Sequence, residues 1–150
     1  MLSNEKRDKL SKLFATEELS KAILAMGIKQ QCLASHCGFK QYGEDDDQLQ
    51  HKQLFFPGLD KVNDLQQKYN TPLFTICPAL TWQQISDWFR DEHDMDIDVV
   101  KIRQDPEFKF SFSVMSAGIL VDSSRTVEHY DALEKAVKCA INYKLSNKKV

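Results

Sequence analysis

Glycine is scarce, with five residues in a chain of 150. So few leave little room for a phosphate-cradling loop, and neither a dinucleotide fingerprint nor a Gly-x-Ser-x-Gly elbow occurs. No apolar run is long enough to span a bilayer as a helix. Met1-Leu2-Ser3-Asn4-Glu5-Lys6-Arg7 leads into alternating charges instead of the apolar core of a signal peptide, so a cytoplasmic location is expected. An excess of one charge is also missing. Twenty Lys and Arg stand against 22 Asp and Glu, the formal net charge is −2 and the pI about 6.1. That balance argues against a protein built mainly to hold nucleic acid. Cysteine is limited to Cys32, Cys37, Cys77 and Cys139, which in a reducing compartment are expected to be thiols. Cys139, among Ala136, Ala140 and Ile141, reads as a small buried apolar residue. Cys32 and Cys37 flank His36, but a zinc knuckle would need cysteines two residues apart. Strand cysteines are therefore the favoured reading over a metal site.

What is present is an ordinary globular composition, 42% hydrophobic and 28% charged. With no Gly/Ser- or Pro-rich linker, residues 1–150 are expected to form a single compact domain. Its clearest landmark is Thr81-Trp82-Gln83-Gln84-Ile85-Ser86-Asp87-Trp88-Phe89-Arg90, which carries both tryptophans. Thr81 and Gln84 form a capping box, and Leu80 and Ile85 stand at staple positions. Trp82, Ile85, Trp88 and Phe89 recur at helical spacing and make a broad aromatic face that must be buried.

Upstream, the spacing predicts a helix over 4–14 and another from Thr16, its stripe Leu19, Ala22, Ile23 and Met26, ended by Gly27. Strands over 31–39 and 48–56 form a hairpin around Gly43 and the solvated run Glu44-Asp45-Asp46-Asp47. A short helix is expected over 59–68, then an extended piece over 73–77 stopped by Pro78. Downstream of the capped helix, 96–103 reads as a strand. Phe108, Phe110, Phe112 and Val114 alternate with Lys109, Ser111 and Ser113, giving a strand with one buried face. A third strand begins at Gly118-Ile119, and Tyr130–Leu145 is an amphipathic helix with Leu133, Val137, Ala140 and Ile141 inward. Residues 78–147 thus spell α-β-β-β-α. The expected fold is α+β: an antiparallel sheet with helices packed on one face, plus N-terminal helices and a hairpin.

Pro78-Ala79-Leu80-Thr81-Trp82-Gln83-Gln84-Ile85-Ser86-Asp87-Trp88-Phe89-Arg90-Asp91-Glu92-His93 resembles a motif of small uncharacterised proteins of gut Bacteroidetes and their phages and prophages. In those proteins Pro-Thr-(Trp/Tyr)-Gln-Gln leads to Trp-Phe-Arg. The resemblance continues at Tyr130-Asp131-Ala132-Leu133-Glu134-Lys135-Ala136, and more faintly at Glu17–Ala22, Gly27 and Cys32-Leu33-Ala34. It covers less than half the chain. It implies a phage or mobile-element association and no activity, cofactor or catalytic residue.

The residues themselves offer three chemistries. Asp94, Asp96 and Asp98 would share one strand face near Glu92 and His93, and such a set can hold a divalent cation. An EF-hand's glycine and bidentate glutamate are absent, and a solvated sheet face explains the pattern as well. His36, His51, His93 and His129 lie far apart in sequence, so any pairing with Cys37 or Cys77 would depend on the fold; His129 reads as preceding the last helix. The helix–three strands–helix order resembles double-stranded-RNA-binding domains, with Lys135 and Lys138 as candidate contacts to nucleic acid. Those domains place basic residues at the start of the second helix, where this chain has Glu128-His129-Tyr130-Asp131. If Trp82 faces outward, it is the first candidate for a protein contact, because aromatic anchors dominate interfaces. The expectation is a non-catalytic protein that binds an unidentified protein partner, with no membrane contact. Nucleic-acid binding is the runner-up and a metal enzyme using 91–98 the third reading.

Overall fold

The computed structural model describes residues 3–40 and 49–146. Its contacts divide the chain into two compact units, Met1–Lys21 with Lys29–Leu80 and Ala22–Ile28 with Thr81–Val150. The class is α+β, with two antiparallel three-stranded sheets and five helices among the described residues.

In the first unit, Ser3 caps α1 (Asn4–Ser11) by accepting the Lys6 N–H at 3.3 Å. The helix stops at Ser11, short of the expected end, and a turn carries Phe14 into a cluster with Ala34, Leu54, Phe56 and Ala79, against which Leu10 packs. Two arginine nitrogens of Arg7 grip the Asp60 carboxylate, and one of them also donates to the Leu54 carbonyl at 2.9 Å. Asp60 is fully enclosed and accepts the Phe56 N–H at 3.0 Å as well. Thr16 opens α2 (Glu17–Ala25) by accepting the Leu19 N–H, and the residues of this helix from Ala22 onward group with the second unit. Gly27 ends it at φ +105°, a conformation that L side chains rarely adopt.

The sheet of this unit runs β2 (Gln50–Phe55), β1 (Ala34–Phe39), β3 (Leu73–Ala79). β1 and β2 form the expected hairpin, although Cys32 precedes β1 instead of lying in it. The turn expected around Gly43 and Glu44–Asp47 lies outside the described residues. α3 (Val62–Tyr69) starts later than its leucine spacing suggests, because Leu59 and Asp60 close a tight turn onto the Phe56 carbonyl. Pro78 does not stop β3. It lies within the strand opposite Ser35, which is tolerated because β3 is an edge and its outer side needs no N–H.

In the second unit the capping box is complete. The Gln84 N–H donates to Thr81 Oγ1 and the Thr81 N–H to Gln84 Oε1, both at 3.0 Å. It opens α4 (Trp82–His93), and Asp94 closes that helix in the left-handed conformation, its N–H donating to the Phe89 carbonyl. β4 (Met95–Lys101), β5 (Phe110–Ser116) and β6 (Ile119–Thr126) then form a meander in that order. Ala117 and Gly118, both at positive φ, make the two-residue β5–β6 turn, as the twist of a tight hairpin demands. Phe108 was expected in β5 but precedes it, because its N–H and that of Glu107 are captured by the Asp105 carboxylate. α5 (His129–Ser146) packs across β4, β5 and β6, and α4 packs on β4 and α5, so both helices cover one face. Met95, Phe112 and Val114 point inward beneath them, with Ala132, Ala136, Val137, Ala140 and Ile141 of α5. Leu133 is only half-buried.

Candidate functional site

The acidic stretch does not converge. Asp94 is a helix cap, Asp96 and Asp98 stand exposed on the outer face of β4, and Asp96 lies 3.7 Å from Arg90. His93 turns away to pack edge-on against Trp88 with ring centres 4.6 Å apart, and also against Phe89. Among the described residues no three His, Cys, Asp or Glu side chains come close enough to share a cation.

The four cysteines are free, and burial pushes every thiol up, Cys37 to about 11. A thiol held protonated near neutral pH is a poor nucleophile. The histidines disperse: His51 stacks on Tyr69 and His129 meets Phe110 edge-on, the latter at the first residue of α5. His36 does approach a serine. Its Nε2 lies 3.5 Å from Ser20 Oγ and 3.1 Å from the Ala15 carbonyl. Ser20 is wholly buried and also accepts the Leu80 N–H, so no substrate reaches it and the pair is structural.

That environment gives His36 a measurable signature. Burial is the largest influence and lowers its pKa, with Lys21 adding to the effect, while the Ala15 carbonyl and Glu17 oppose it. The folded state therefore takes up the proton later than the unfolded one. Above the ordinary histidine value both states are neutral and nothing is lost. Below about pH 6.5 the unfolded chain protonates first, so stability falls with pH. Urea midpoints measured from pH 8 downward should decline through this window, and His36→Gln should flatten that decline.

Trp82 does not meet the condition that made it a contact candidate. It is 6% exposed, with its indole edge-on to Tyr130 at 5.4 Å. Lys135 and Lys138, by contrast, are exposed on the rim of a groove of about 620 Å³ between α5 and the β6 side of the sheet. Phe112 and Val121 form its floor, while Cys139, Asn142 and Tyr143 form the helix wall. Cys139 is thus half-exposed rather than core, because α5 turns it toward Asp122, whose carboxylate adds to the upward push on the thiol. Val121 reaches the floor through a bulge: Val114 pairs with Asp122 and Met115 with Leu120, leaving Val121 unpaired. Lys138 also bridges Glu134 at 3.2 Å. Glu128 and Asp131 stand exposed at the start of α5, where a phosphate-gripping helix would need cations.

A smaller cavity of about 300 Å³ in the first unit is lined by Glu17, Lys21 and Lys52, among others. The carboxylate there sits 3.1 Å from one ammonium and 3.3 Å from the other, so these charges satisfy each other.

The groove had one trace in the sequence. Lys135, Lys138, Cys139, Asn142 and Ser146 follow helical spacing beside the apolar stripe. Which strand they would face depends on the β6 register, for which there was no local signal. No family model, curated protein or solved structure matches the chain.

Proposed function

We propose that this chain is a non-catalytic, protein-binding accessory module of the cytoplasm. The observation that carries the reading is the half-covered sheet of the second unit. Both helices lie on one face, β6 is an open edge among the described residues, and its first two residues, Ile119 and Leu120, are 72% and 56% exposed. Open edges and exposed apolar side chains are liabilities that proteins usually shield, and they are common where a partner docks. The raised thiols and the scattered histidines support a non-catalytic role, and free cysteines suit a reducing compartment. No helix among the described residues is long and apolar enough to cross a membrane.

The resemblance to phage-associated proteins extends the proposal to a mobile-element setting. Its motif residues build the α4 cap and the α4 and α5 core positions, so it bears on ancestry and not on chemistry.

The test is affinity capture with the tagged full-length chain from nuclease-treated lysate of its native host. Specific protein retained at moderate salt by wild type, and lost with the doubly substituted Ile119→Asp, Leu120→Asp chain, is the expected result. Recovery of nucleic acid alone from untreated lysate would overturn it. So would hydrolysis of an ester, phosphate or nucleotide panel abolished by a histidine or cysteine substitution, or tight divalent-cation binding lost on substituting Asp96 and Asp98.

A further inference from the structure

We propose that β6 and the groove beside α5 bind an extended acidic peptide, which adds to the sheet as a fourth strand. The inference rests on the protein-binding reading above and names its surface and partner. β6 pairs with β5 along Phe110–Thr126 to Ser116–Ile119, and among the described residues it has no strand neighbour on its other side. The outward backbone groups of such an edge are a template for one more strand. The remaining sheet edges carry more deterrents than β6, whose charged residues are Asp122 and Arg125. Pro78 interrupts the donors of β3, β2 carries Lys52, and β4 carries Asp96, Asp98 and Lys101. The sequence of β6, Ile-Leu-Val-Asp-Ser-Ser-Arg-Thr, contains no proline and no lysine, and its one cation, Arg125, is held at 2.9 Å by Asp105.

An added strand would turn alternate side chains toward the helix layer, because successive residues point to opposite faces. On that side they meet the groove. Its floor of Phe112 and Val121 takes small apolar groups, and Asn142 and Tyr143 offer hydrogen bonds. Its rim selects for charge. Lys135 makes no ion pair among the described residues, and Lys138 shares its ammonium with Glu134 alone. The one carboxylate lining it, Asp122, is exposed on β6 and accepts the Ser123 N–H at 2.8 Å. Two ammonium groups beside an open edge favour carboxylates on the incoming strand.

Two other occupants fit less well. A second copy paired through β6 would bring both lysine rims together on the same face, placing like charges side by side. A nucleic acid would need several cations along a phosphate track, and Asp131 and Glu134 flank Lys135 on α5, with Glu128 just before the helix.

The experiment selects binders of the full-length chain from a random linear peptide library. The synthesised winners are then titrated while backbone amide spectra are recorded. The expected winners are rich in Asp and Glu. They should shift amides of β6 and of α5 around Lys135–Tyr143, and a proline placed mid-peptide should abolish binding. Lys135→Glu combined with Lys138→Glu should weaken binding roughly ten-fold or more, since each exposed charge pair contributes little alone and reversal adds repulsion. Far-UV circular dichroism checks that this surface variant is folded. Basic or neutral winners, shifts confined to other surfaces, or affinity unchanged by the double reversal would overturn the proposal. So would an empty selection, or β6 shifts that appear on raising protein concentration without peptide. If selection fails while the lysate partner is still captured, this surface assignment falls and the protein-binding reading stands. If both fail, both fall.

Discussion

Arg7→Ala is expected to lower unfolding free energy by about 3–5 kcal/mol, among the largest single effects in the chain, because it leaves a buried carboxylate without its cation. The Asp60 side chain has no exposed surface, and Arg7 contributes two nitrogens to it while also satisfying the Leu54 carbonyl. The substitution therefore orphans a charge and a carbonyl together, and also removes the guanidinium lying over the Phe56 ring at 5.8 Å. Urea denaturation provides the measurement, and a change below about 1 kcal/mol would mean that the pair behaves like an exposed one. The double substitution Arg7→Met with Asp60→Leu distinguishes burial from attraction. Replacing a buried ion pair by apolar groups removes the orphaned charge, so the double variant should be more stable than Arg7→Ala, yet stay below wild type because the Leu54 carbonyl and the Phe56 N–H lose their partners. Added salt should not reproduce the loss, since enclosed pairs are poorly screened.

Phe89→Ala is expected to cost about 3–5 kcal/mol, through lost transfer energy and the cavity left behind. Phe89 is fully buried, with its ring 5.0 Å from Trp88 and 5.8 Å from His93. Phe89→Leu keeps most of the volume and should cost about half as much or less. Gln83, exposed on the opposite side of the same helix, supplies the control, and its replacement by alanine should stay within about 0.5 kcal/mol. Denaturant midpoints for the three variants test the ranking. A Phe89→Ala midpoint close to that of the Gln83 variant would show that the aromatic face of α4 is not core.

What could be read from the chain beforehand follows a physical division. Thr81 and Gln84 announce α4 because a cap is written within four residues, and both hydrogen bonds are present. Phe112 and Val114 announce a one-sided strand because the pleat has a fixed period of two. Facts that depend on a distant partner were not legible. Arg7 and Asp60 are 53 positions apart, and nothing near either one names the other. Pro78 reads as a stop until β3 is known to be an edge. Trp82 could be placed on a helix but not on its inner or outer side. Lys135 and Lys138 were visible as cations, yet their neighbours across the groove come from a bulged register at Val121 that no local pattern encodes. Shape at this site is a long-range property, so the residues that line the groove carry a local signal and the groove itself does not.

The division of the chain limits how its parts can be exchanged. Residues Ala22–Ile28 belong by their contacts with Thr81–Val150, while Met1–Lys21 and Lys29–Leu80 on either side of them belong with each other. Ile23 and Ile28, in that inserted piece, are buried. A single genetic crossover at the 80/81 junction would therefore transmit the α4–β4–β5–β6–α5 run without one of its own packing segments. A recombinant inheriting only that run would have to replace two buried isoleucines from whatever sequence it joined. Ancestry by simple end-to-end shuffling is thus disfavoured, and the two halves should descend together as one inherited block.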